Sequence, residues 1–108
     1  MARFVKGDVV VLPFPFSDLS GNKRRPALIL ANLTGDDLLL CQITSQPYPD
    51  AIYLNIKDFA LGSLLKDSYI RPTKLLTADN VIIIRKAGHI NPYILNQAID
   101  SVIKLLKD

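Results

Sequence analysis

The chain has 108 residues and no glutamate, so all ten of its acidic side chains are aspartates. Aspartate competes with the backbone for hydrogen bonds and favours turns and caps over helix interiors. The composition therefore points to strands and loops, and it removes glutamate as a general base in any chemistry proposed. Cysteine is nearly absent: Cys41 stands alone and cannot form an internal disulfide. Its surroundings, "LLLCQITS", read as a strand with a buried thiol. Histidine is also represented once. His89, in "AGHIN" beside the last segment, reads as a surface or packing residue rather than a catalyst. No cofactor or metal is expected. No apolar run approaches the ~18 to 20 residues of a membrane span, and "MARFVKGD" lacks the apolar centre of a signal peptide. A cytoplasmic protein without membrane attachment is the expectation. Repeats, linkers and low-complexity tracts are missing too, so residues 1–108 read as one domain.

What is present is a globular profile, with 49% apolar and 21% charged residues. The net charge of +3 is mild; it permits an anionic partner without establishing one. "DVVVLPFPF", residues 8–16, alternates as a strand. Pro13 and Pro15 put two missing N–H groups along one edge, so the strand must leave a neighbour near Pro13 or lie at an open edge. "RPALILAN" and "LLLCQITS" form a hairpin about "LTGDD", with Gly35 expected at positive φ. "AIYLNI", "SYIRPTKLL" and "VIIIRKAG" read as further strands, the last two joined around "TADN". "FALGSLLKD" is ambiguous, with a turn expected at Gly62. "NPYILNQAIDSVIKLLKD" is a helix, with Asn91 at the N-cap and Pro92 at the first helical position. Ile94, Leu95, Ala98, Ile99, Val102, Ile103 and Leu106 form its apolar stripe, assigned to core packing. Five to seven short antiparallel strands and one C-terminal helix fit a small, strongly bent β-barrel.

The hairpin raises a chemical question. Lys23, Arg24 and Arg25 stand directly before Pro26, at the mouth of a strand that must be buried. A two-residue turn at Thr34–Gly35 sets Arg25 opposite Thr44; a turn one residue later sets it opposite Gln46. In either register the cations meet the polar strand end Gln42-Ile43-Thr44-Ser45-Gln46.

"KGDVVVLPFPFSDLSGNKRRPALIL", the "QITS" strand end, and "DSYIRPTKLLTADNVIIIRKAGHI" before a terminal helix resemble the PemK/MazF toxins of bacterial toxin–antitoxin systems. The resemblance rests most on Gly7-Asp8, Pro13-Phe14-Pro15-Phe16, Arg25-Pro26 and Thr44-Ser45, in that order and spacing. It implies a mainly β fold, a small SH3-like antiparallel barrel of the PemK/MazF/CcdB kind with a C-terminal helix. It also implies a homodimer and a metal-independent endoribonuclease that cuts single-stranded RNA, often mRNA, at short sequences. The partner implied is a cognate antitoxin that lays an acidic, partly disordered segment into the RNA groove. By motif, the catalytic arginine falls on Arg25 and the catalytic hydroxyl on Thr44, with Ser45 beside it.

The residue types suit that chemistry. RNA carries its own nucleophile, the 2′-OH, and a planar guanidinium matches phosphate oxygens bidentately. Asp18, in the loop before Arg25, is a candidate base or orienting partner for Arg25, or simply a solvated loop residue. Lys23, Arg24, Gln42, Gln46 and Arg71 are candidate RNA contacts; solvated turn cations and a structural ion pair for Arg71 are the plainer readings. Tyr48, Tyr53 and Tyr69 are candidates for base stacking or for packing. The loop before Arg25 is shorter than in many members of the family. Two other functions share the fold: a non-catalytic toxin that binds DNA gyrase or another protein, and a plain RNA-binding barrel.

Overall fold

The computed structural model describes residues 4–13 and 23–108. Seven strands run β1 (Asp8–Pro13), β2 (Arg24–Asn32), β3 (Asp37–Thr44), β4 (Ile52–Leu54), β5 (Phe59–Gly62), β6 (Ser68–Asp79) and β7 (Arg85–Ile90), followed by helix α1 (Pro92–Lys107). They form one antiparallel sheet in the order β4-β6-β3-β2-β1-β7-β5. The sheet curls into a half-barrel.

Both faces of the central strands are apolar, and each has its own cover. Val9, Leu28, Cys41, Ile43, Ile70 and Ile90 pack with Ile94, Ala98 and Val102 of α1. Val10, Leu12, Ala27, Ile29, Leu38 and Leu40 form a second cluster on the other side of the sheet. Strand alternation requires this division of neighbours such as Val9 and Val10. Fully burying one such side chain contributes ~1.5–3 kcal/mol. The helical stripe is narrower than its sequence pattern: Ile103 is 45% and Leu106 is 72% exposed, and the helix buries Ile94, Ala98 and Val102. Asn91 holds the N-cap position without a side-chain cap bond; its amide instead donates to the Lys57 carbonyl at 3.2 Å.

Two sequence expectations shift for local reasons. Val81 and Ile82 lie in a short 3₁₀ turn, Asn80–Ile82, and not in a strand. The Asp79 carboxylate accepts from Val81 N–H at 2.9 Å and turns the chain there, so β7 starts only at Arg85. Conversely, Phe59–Gly62 is a strand, β5, paired with β7. Gly62 does adopt positive φ, +68°, because a β-carbon there would run into the Ala87 carbonyl.

Three irregularities shape the end of the sheet that carries the site. The pairing of β1 with β7 stops at Val11↔Arg85, whereas its pairing with β2 continues to Pro13↔Arg24. The Val11 carbonyl accepts from Ile84 N–H at 2.8 Å. Pro13, two residues on, would aim its missing donor the same way, so the strand leaves β7 where the ladder could not continue. The β2–β3 turn closes with Leu33 N–H on the Asp37 carbonyl at 3.0 Å, one residue longer than a Thr34–Gly35 turn, with Gly35 at φ +75°. An extra residue in β2 between Ile29 and Ala31 then restores the register to Ile29↔Leu40, Leu28↔Cys41 and Ala27↔Gln42. Finally, β6 bulges: Cys41 pairs with Leu75 but Ile43 with Ile70, leaving Arg71-Pro72-Thr73-Lys74 opposite Gln42.

Candidate functional site

The β2–β3 ladder ends at Ala27↔Gln42. The next residue toward the mouth is Pro26, which has no N–H to extend it. Beyond that point each strand is held only on its outer flank, β2 by β1 as far as Arg24 and β3 by β6 as far as Thr44. The hairpin therefore opens where the cations begin. Carried two residues further, the register sets Arg25 across from Thr44, on the face that Ala27 and Gln42 also share.

Two depressions meet at this mouth. The smaller, about 380 Å³, is lined by Lys23, Arg25, Gln42, Thr44, Ser45, Gln46, Tyr48, Arg71 and Lys74. The larger, about 660 Å³, lies on the other side of the hairpin end, and Arg24, Lys66 and Arg85 contribute its cations. Arg25, Thr44 and Ser45 line both. No carboxylate among the described residues lines either one. A separate, shallow depression of about 470 Å³ along α1 mixes Asp100 with Lys104 and gathers no such charge.

The local bonding leaves the polar groups available. Thr44 Oγ1 accepts the Gln46 N–H at 3.2 Å, which fixes the oxygen and leaves its own proton free to donate. Arg25 is half-buried. Its Nε and that of Arg71 are buried without a hydrogen-bond partner among the described residues. An unsatisfied buried donor of this kind costs ~1–3 kcal/mol, more if charged, and favours an anion that can accept from it. Arg71 is otherwise tethered: its guanidinium carbon lies 3.8 Å from the centre of the Tyr48 ring and an Nη lies 4.0 Å from the Asp50 carboxylate. Asp50 also accepts from the Thr73 hydroxyl, and that bond holds its carboxyl below the usual range.

Seven of the sequence candidates thus gather in the smaller depression: Lys23, Arg25, Gln42, Thr44, Ser45, Gln46 and Arg71. Arg24 lines only the larger one, as alternation along β2 requires. Asp18, and with it Phe14, Pro15 and Phe16, lies outside the described residues. Tyr48 joins the site, while Tyr53 pairs with Tyr69 away from it, ring centres 5.6 Å apart. His89 lines neither depression; its Nδ1 is 2.7 Å from the fully buried carboxylate of Asp8. Sequence reasoning missed Lys74, Lys66 and Arg85. The signal for Lys74 was Pro72, whose bulge swings the following residues toward Gln42. Lys66 comes from the β5–β6 connection and Arg85 from the start of β7, and they carried no local signal. Among the described residues no group of three His, Cys or Asp side chains is placed to hold a metal ion, and no helix is long and apolar enough to cross a membrane.

The comparisons with known proteins agree with this architecture. The chain superposes on MazF from Deinococcus radiodurans with a TM-score of 0.77 at 21% identity, covering 100% of each chain. A MazE-MazF complex from the same organism gives 0.77 at 19% identity, over 98% of each chain. An endoribonuclease in complex with its cognate antitoxin, from a mycobacterial species, gives 0.75 at 18% identity, over 99% of this chain and 96% of that one. No curated protein matches the sequence at a significant level. The family model described as "PemK-like, MazF-like toxin of type II toxin-antitoxin system" matches residues 5–106, and the chain belongs to that family.

Proposed function

We propose that the chain is a sequence-selective endoribonuclease toxin that cuts single-stranded mRNA without a metal, with Arg25 and Thr44 as its catalytic residues. The observation that carries this reading is the mouth of the hairpin, where Arg25 and Thr44 line the same two depressions, the smaller of which holds three further cations and, among the described residues, no carboxylate. A phosphodiester enters as the counter-charge to Arg25, which has no ion-pair partner among the described residues. The 2′-oxygen attacks phosphorus, the P–O5′ bond breaks, and a 2′,3′-cyclic phosphate and a 5′-hydroxyl end result. The 2′ proton leaves to water and the 5′-oxygen takes a proton from water. Arg25 neutralises the phosphoryl oxygens through its planar fork, and the free Thr44 proton donates to a second oxygen. A pre-placed donor of this kind contributes ~100- to 1,000-fold in rate. Asp18, the candidate base, lies outside the described residues, and Arg25 and Thr44 alone give a slow reaction, which suffices for a toxin that acts on mRNA.

Lys23, Arg24, Gln42, Gln46 and Arg71 contact RNA beyond the cut, and Ser45 supports Thr44. The reading includes a second copy of the chain in a homodimer. It also includes a cognate antitoxin whose acidic segment takes the place of RNA; MazE-MazF complexes among the structural relatives support such a partner. The test is incubation of the purified protein with mixed single-stranded RNA in excess EDTA, followed by sequencing of the ends. Cyclic phosphate and 5′-hydroxyl termini at recurrent sequences are expected, and Arg25→Ala abolishes them. Cutting that survives Arg25→Ala, or that requires a divalent metal, overturns the reading. RNA binding without products would leave a plain binding barrel.

A further inference from the structure

The two depressions that share Arg25, Thr44 and Ser45 differ in chemistry. The smaller is lined by cations, amides and hydroxyls, with Tyr48 as its only ring among the described residues, and Arg71 already covers one face of that ring. The larger is lined by Leu64, Leu65 and Ile84 between the cations of Arg24, Lys66 and Arg85. Leu64 is half-buried and packs against the helix-side core, so this apolar wall is anchored. Leu65 beside it is fully exposed, at 103%, and Ile84 is 42% exposed. Folding gives no reason for a leucine in water next to a cluster of cations.

In-line attack by a 2′-oxygen gives one. In a stacked strand the 2′-oxygen is not in line with the bond that must break. One neighbouring base must therefore leave the stack, and single-stranded RNA is read with its bases splayed out in this way. A splayed base needs an apolar surface beside the cut, while its phosphates need cations.

Building on the ribonuclease reading above, we infer that the larger depression receives one unstacked nucleobase of the RNA strand whose scissile phosphate lies between Arg25 and Thr44. The strand crosses the hairpin end. Its backbone continues through the polar depression past Arg71 and Lys74, and the splayed base rests on Leu65 and Ile84. Two features of the site commit the occupant to the same RNA strand. The larger depression is continuous with the smaller through three shared residues, and its cations face no carboxylate among the lining residues.

Two measurements test this independently of each other. Cut sites in a randomised single-stranded RNA are sequenced for the wild type, Leu65→Ser, Ile84→Ser and Tyr48→Ala. Leu65→Ser and Ile84→Ser are expected to flatten the base preference on one side of the cut, by about 3- to 10-fold, as expected for a lost apolar contact with one base. Tyr48→Ala changes preference only on the other side. In parallel, binding is measured to uncleavable 2′-O-methyl oligonucleotides carrying one abasic position each. Wild type loses about 10-fold in affinity at one position, and Leu65→Ser is indifferent to that position. A flat abasic scan, or unchanged preference on both sides in the Leu65 and Ile84 variants, overturns the inference and leaves the depression to a protein partner. Binding with a position-specific abasic loss but no cutting overturns the nuclease reading alone.

Discussion

Arg25-Pro26 and Arg71-Pro72 are the same dipeptide on two strands, and the fold uses them differently. Pro26 ends the β2–β3 ladder and Pro72 sits in the β6 bulge, so the two flank Gln42 from opposite sides. Both arginines keep a buried Nε without a partner among the described residues. Only Arg71 is stacked on a ring and held near a carboxylate, with its side chain 17% exposed. Arg25 has no ion-pair partner among the described residues. The motif places a guanidinium in extended backbone at a gap in a ladder; the neighbouring acid decides whether it is held or free to meet a ligand. On that reasoning Arg25 works at the reacting phosphate and Arg71 positions the strand.

The largest effect follows from the free arginine. Arg25→Ala is expected to lower kcat by at least about 100- to 1,000-fold with little change in thermal stability. Arg25→Lys keeps the charge but loses the fork and should recover only a small part. Equal losses in Arg25→Ala and Arg71→Ala would erase the distinction between the two dipeptides. Thr44→Val comes next. It preserves shape and removes the hydroxyl proton of the residue across from Arg25, for an expected loss of about 10- to 100-fold in kcat. Arg71→Ala should raise KM by about 10-fold through a lost phosphate contact while leaving kcat near wild type, a split that single-turnover kinetics resolves. Smaller still, Asp50→Ala releases Arg71 from its tether; RNA affinity is expected to change less than about 3-fold, since exposed ion pairs contribute ~0–1 kcal/mol.

Much of this arrangement was legible in the sequence because it depends on local rules. The hairpin, the terminal helix, Gly35 at positive φ and the departure of β1 near Pro13 all follow from alternation and from residues with restricted φ or no N–H. The meeting of Arg25 with Thr44 was legible too, although for an incomplete reason. The turn is one residue longer than a Thr34–Gly35 turn, and the extra residue in β2 restores the register. That compensation leaves no mark on a pattern of apolar residues. The β6 bulge was similarly hidden: "SYIRPTKLL" reads as one strand, and only pairing with β3 reveals that four of its residues face Gln42. The exposure of Ile103 and Leu106 is a tertiary fact that helical spacing cannot encode. Lys66 reaches the mouth from the β5–β6 connection and Arg85 from the start of β7, distant in sequence, so no motif could announce them.

A single step along β3 makes the sharpest contrast between core and site, and gives the smallest effect. Gln42 faces the groove, while Cys41 points the other way into the helix-side core. Burial pushes the Cys41 thiol up from 9.0 to about 12. The folded state therefore favours the protonated thiol more than the unfolded chain does. Its contribution to stability is complete below pH 9 and fades as pH rises from 9 toward 12. At neutral pH the thiolate that would react with a disulfide reagent is almost absent from the native protein. Labelling of Cys41 is expected to be slow in buffer and immediate in denaturant, with a native rate that follows global opening. RNA bound in the groove should not alter that rate beyond its effect on global stability. A fast native rate, blocked by RNA, would mean that β3 exposes both faces at the mouth and that the wall between core and groove is not closed.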